Sequence, residues 1–157
     1  MALTEGVDSF CTLEWAEEYF GEKLYCDEWT GADQGTKEKA LKEATRRINK
    51  LSFKGMKADP GQILQFPRII VNIGQRIGFF GVIEQPTIPD EVKAATCEEA
   101  LALLKYGNSA RTKAQEQNVV RVTFGDVSEE YAGYGKLLSK EALDLLKPYI
   151  AGAVVIR

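Results

Sequence analysis

The segment from Pro89 to Tyr106 constrains this chain more than any other, because the helix it predicts is apolar on almost every side. Pro89 stands at the favoured first-turn position, Asp90 and Glu91 complement the positive helix end, and Gly107-Asn108 stops the run. Between them Val92, Ala94, Ala95, Cys97, Ala100, Leu101, Ala102, Leu103 and Leu104 cover most of the circumference. A helix of that kind belongs inside, so other elements must wrap it. With 157 residues, 45% of them hydrophobic, the chain can do this as one domain over 1–157 without disulfides or a metal.

Three more helices are legible. Leu13–Phe20 has Thr12 as N-cap, an apolar face of Leu13, Trp15, Ala16, Tyr19 and Phe20, and Gly21 to end it. Residues 22–35 read as a loop. From Thr36, which can cap the helix, to Leu51 the residues Leu41, Ala44, Ile48 and Leu51 recur at helical spacing. Lys39, Lys42, Arg46 and Lys50 recur on the opposite face. A last helix, Ser139–Leu146, is capped by Ser139 and terminated by Pro148.

Residues 52–88 are punctuated by Gly, Pro and aromatics, which no long helix survives, with short strands or turns expected around Arg68-Ile69-Ile70-Val71. Their apolar content is too high for disorder. After a polar loop over 107–118, Val119–Phe124 and Val127–Tyr131 flank Gly125-Asp126 as a β-hairpin. The expected fold is therefore mainly α: a small helical bundle with a β-hairpin and a Gly/Pro/aromatic-rich ordered loop. The apolar tail over 151–157, with Val154, Val155 and Ile156, either docks on its own domain or adds to a neighbour's sheet.

Charge is segmental. Residues 1–35 carry nine acids and one base, and residues 36–57 carry eight bases and two acids, within an overall net charge of −3. Opposite signs side by side suit packing within the subunit or contact between subunits, and overall acidity argues against wholesale coating of nucleic acid. Cys11, Cys26 and Cys97 fit no metal-ligand spacing and read as buried or half-buried thiols of a reducing compartment. Neither a signal peptide nor a membrane-length apolar run is present, so synthesis and folding in a cytoplasm without membrane contact is expected. Histidine is absent, which removes Ser-His and Cys-His pairs, and no phosphate-binding glycine motif occurs. No catalytic, cofactor or metal residues are assigned, and an enzyme is not expected. Of the carboxylate pairs, Glu98-Glu99 lies on the most apolar helix and is expected to pair with an Arg from residues 64–68.

Several motifs recur in a fixed order: Ala16-Glu17-Glu18-Tyr19-Phe20, then Lys39-Ala40-Leu41 with Ala44-Thr45 and Ile48, then Phe53-Lys54-Gly55. Gln62, Leu64 and Phe66-Pro67-Arg68 follow, then Ile88-Pro89 with Val92 and Ala95, Glu98-Glu99-Ala100, Gly125-Asp126-Val127 with Tyr131, and Leu145-Leu146 with Pro148-Tyr149. In that order they resemble the head–tail connector (adaptor) proteins of tailed bacteriophages, some of whose relatives carry a DnaT-like single-stranded DNA-binding label. The stretch Ile69–Thr87 has no counterpart in that pattern.

The resemblance implies a virion protein of the neck: a dodecameric ring of this chain beneath the portal protein, docking the next connector, stopper or tail protein. Genomic DNA would pass through it without sequence recognition. The second label makes the alternative a single-stranded DNA-binding replication-accessory protein, which needs a basic groove with aromatic stacking platforms. The basic helix carries no aromatic among its cations and is expected at subunit contacts or outside. The candidate interaction residues are Lys39, Lys42, Arg46 and Lys50, Arg121 in the hairpin, and Val154, Val155 and Ile156 in the tail.

Overall fold

The computed structural model describes residues 3–73, 80–84, 87–109, 112, 121–124, 127–130 and 137–151. Among them are five helices: α1 (Leu13–Gly21), α2 (Asp27–Thr30), α3 (Gln34–Asn49), α4 (Asp90–Tyr106) and α5 (Lys140–Leu146). An antiparallel sheet of β1 (Met56–Lys57), β2 (Arg68–Ile73) and β3 (Phe80–Glu84) joins them. A separate hairpin pairs β4 (Arg121–Phe124) with β5 (Val127–Glu130). The fold is mainly helical, as the sequence predicts.

Helix α4 is the core. Its residues Val92 and Ala95 pack with Ile48, Leu51, Phe66 and Leu146. One and two turns further on, Cys97, Ala100 and Leu101 pack with Ala40, Leu41, Ala44, Phe20 and Trp29. The pairing of α4's start with α3's end, and the reverse, makes the two helices antiparallel.

Local chemistry fixes most ends. Thr12 Oγ1 accepts from the Trp15 amide at 3.2 Å to open α1, and Ser139 Oγ accepts from the Ala142 amide at 3.1 Å to open α5. Helix α3 starts two residues before the expected Thr36. Asp33 is the N-cap, accepting from the Thr36 amide at 3.0 Å and hydroxyl at 2.6 Å, and these bonds hold its carboxyl below the ordinary value. A carboxylate three residues ahead of Thr36 outcompetes the threonine for that role. The loop expected over 22–35 contains α2, nucleated by the burial of Trp29 against Phe20.

The Gly/Pro/aromatic region is folded as the three-stranded sheet, with Met56 opposite Ile69 and Ile69 opposite Glu84. Gly55 adopts φ 75°, and a Cβ there would lie 2.1 Å from the Ile69 carbonyl oxygen, so only glycine lets β1 approach β2. Phe66 sits in a T-shaped aromatic cluster with Phe53, Phe10 and Tyr149, at centroid distances of 4.8, 5.9 and 5.6 Å. The chain beyond α5 closes over this cluster: the Lys54 amide donates to the Tyr149 carbonyl at 2.8 Å and the Ala151 amide to the Ser52 carbonyl at 3.0 Å.

The expected pairing of Glu98-Glu99 with an Arg from 64–68 is corrected. Arg68 is buried, but its guanidinium donates to the carbonyls of Phe53, Lys54, Gly55 and Gln65 and to Gln65 Oε1, knitting the entry of β1 to the entry of β2. Glu98 instead takes Lys23 and the Tyr19 hydroxyl, the latter at 2.6 Å. Burial and that carboxylate push the Tyr19 phenol well up. Glu99, wholly buried, accepts from the Leu138 and Ser139 amides at 3.0 and 2.8 Å, with Arg47 Nη1 at 3.7 Å. It thereby fixes the start of α5 to α4.

Candidate nucleic-acid interface

Helix α3 turns Ala40, Leu41, Ala44, Thr45 and Ile48 into the core. The opposite face therefore looks into solvent, and on it lie Lys39, Lys42, Arg46 and Lys50. At 1.5 Å of rise per residue they form a stripe about 16 Å long. Lys39 and Lys50 are exposed and have no ion pair among the described residues. Arg46 is exposed and lies 3.5 Å from Glu43, while Lys42 is half-buried and leans toward Asp8 at 3.9 Å. Exposed pairs of this kind contribute about 0–1 kcal/mol each, so a competing phosphate can displace them. Glu43 is also tied to Arg47 at 3.6 Å, which leaves the stripe dominated by positive charge.

The other cations of the segment are engaged within the chain. Lys37 Nζ lies 2.8 Å from Glu17 and 5.4 Å from the Trp29 ring centroid, joining α1 and α2 to α3. Beyond the helix, the Lys54 and Lys57 ammonium groups each donate to a main-chain carbonyl at 3.1 Å, that of Pro148 and of Gln62.

The four α3 cations are thus brought onto one face, as their spacing predicts. Arg121 stands in β4 opposite Glu130. Val154, Val155 and Ile156 lie outside the described residues. Sequence reasoning missed two aromatics that the fold leaves outside, Tyr25 and Tyr106, exposed to 83% and 56%. Both flank helix ends, and no periodicity distinguishes them from the tyrosines that pack inward.

Residues 2–156 match the family model described as "Putative DnaT-like ssDNA binding protein". The chain belongs to this family. No curated protein and no solved structure matches it. The match overturns the head–tail connector reading in favour of the alternative, and nothing in it points to a portal, a neck or a virion. The physical argument for subunit contacts weakens for its own reason. Much of the segmental charge is satisfied inside one chain, by Lys37 with Glu17, Lys42 with Asp8, Lys93 with Glu5 and Lys105 with Glu28. Among the described residues, no helix is long and apolar enough to cross a membrane.

Proposed function

We propose that this chain is a single-stranded DNA-binding protein, acting by binding rather than catalysis, and that the strand's phosphates lie along the outer face of α3. The observation that carries this reading is the stripe Lys39, Lys42, Arg46 and Lys50 on a solvent face, in a chain of a family described by single-stranded DNA binding. The overall charge of −3 does not oppose it, because phosphates respond to the local cations within a Debye length of about 10 Å. Contacts to phosphate position a strand without reading its sequence, so the binding is indifferent to base order. Copies of the chain bound side by side on one strand come into contact, which makes self-association a consequence of DNA binding.

The test is fluorescence anisotropy of a labelled oligonucleotide titrated with the protein at several salt concentrations. Four phosphate contacts give a slope of log affinity against log salt of about −2.8 for a single strand. A protein that leaves the oligonucleotide free at low salt overturns the reading.

A further inference from the structure

Three of the six large apolar side chains that the described residues leave exposed gather at one end of the molecule: Leu24, Tyr25 and Tyr106. Their proximity is set by Lys105, the neighbour of Tyr106, whose ammonium donates to the Tyr25 carbonyl at 3.0 Å. The same ammonium lies 3.5 Å from Glu28, so one cation ties the end of α4 to the α1–α2 connection. Tyr25 has φ 59°, a left-handed conformation that a bulky side chain adopts only when its surroundings enforce it. The following residue, Cys26, is buried against Phe20 and Trp29, which leaves the Tyr25 ring directed to solvent. Because α3 and α4 are antiparallel, this end lies at the N-terminal end of α3, the end that carries Lys39.

Resting on the reading of α3 as a phosphate track, we infer that Tyr25 and Tyr106 are stacking platforms for the bases of the same single strand. Strand binders without sequence preference combine a cationic track with exposed aromatic faces, since every base presents a π-surface. The charge around the tyrosines assigns them the bases and not the backbone. Glu22, Asp27 and Glu28 are exposed there, while the nearby Lys23 and Lys105 are engaged by carboxylates, so phosphate is repelled and a neutral base is not. The two parts of the site therefore differ in kind: α3 contributes a salt-dependent attraction and the tyrosines a salt-independent one.

The experiment is the same titration of the full chain with labelled oligo-dT, using Tyr25→Ala, Tyr106→Ala, the double variant, and Tyr25→Phe with Tyr106→Phe. Each alanine is expected to weaken binding roughly tenfold with the salt slope unchanged, and the phenylalanine pair to bind like the parent. Melting curves of the alanine variants should match the parent, as both rings are exposed; the phenylalanine pair tests stacking even if they do not. If the double alanine variant binds as tightly as the parent while Lys39→Ala with Lys50→Ala binds more weakly, stacking is overturned and the α3 track stands. A tyrosine variant that flattens the salt slope also overturns it, since the rings then act through charge. If the parent chain ignores oligo-dT, the underlying reading fails and this one with it.

Discussion

Helix α3 carries two sets of cations that differ only in the direction they face, and the difference separates fold from function. Lys37 and Arg47 look inward, where Lys37 meets Glu17 and the Trp29 ring and Arg47 approaches the buried Glu99. Lys39 and Lys50 look outward to water. Charge of the same sign on the same helix thus holds the domain together on one side and is left available on the other. A buried partner fixes an ion pair because the pair's loss strands a group in low dielectric. A solvated lysine contributes almost nothing to folding, which leaves its charge free to meet a ligand.

The comparison breaks most readily at the inward side. Glu99→Ala strips the acceptor from the Leu138 and Ser139 amides and leaves Arg47 beside a void. We expect a loss of about 3 kcal/mol in unfolding free energy, read by urea denaturation. Oligonucleotide affinity of the folded fraction should not change. The outward side should answer in the opposite sense. Replacing Lys39, Lys42, Arg46 and Lys50 together by alanine should weaken oligonucleotide binding at least about a hundredfold at low salt and abolish most of the salt slope, with the melting temperature nearly constant. A melting loss as large as that of Glu99→Ala would mean that the two faces do not divide the work.

Smaller effects sharpen the same division. Lys37→Ala removes a half-exposed pair and a cation–π contact, and should cost about 1 kcal/mol by denaturation, with affinity unchanged. The smallest expected effects are in pH dependence, where two carboxylates have opposite signs. Asp33, held below its ordinary value of 3.8 by Thr36, contributes stability that is present at neutral pH and lost as pH falls through its folded value. Glu99 is raised above its ordinary value of 4.5 by burial, against the pull of two amides and Arg47. Its contribution is full below that ordinary value and is lost as pH rises through the folded one. Melting temperatures measured from pH 3 to 7 should therefore fall less steeply in acid for Asp33→Asn than for the parent. For Glu99→Gln they should fall more steeply on acidification from neutral pH, because the relief that protonation brings is gone.

Much of this was legible because it is local. The apolar circumference of residues 90–106, the Thr12 and Ser139 caps, the 3–4 spacing on α3 and the pairing of residues 121–124 with 127–130 all act within a few residues. The three-stranded sheet was less so, because the glycines and prolines that bound its strands also read as loop. The partners of Glu98 and Glu99 were illegible: Lys23 and Tyr19 lie 75 and 79 residues away, and Leu138 and Ser139 lie 39 and 40 away. Nothing in spacing pairs such residues, whereas Arg68 was near enough to be chosen wrongly. The candidate site was half legible. The cationic stripe followed from periodicity, but which tyrosines stay outside depends on the tertiary packing around α2 and the end of α4.

The closure of the chain over its aromatic cluster has a kinetic consequence. Phe66 packs on Phe53 and is covered by Tyr149, and the contact between Lys54 and Pro148 spans 94 residues of sequence. Contacts of such separation carry a large loop-closure cost and form late. During synthesis the earlier elements therefore wait, with phenylalanines uncovered, until residues 137–151 have left the ribosome. The interval in which this protein is most prone to aggregate is set by the time its own ribosome takes to get there.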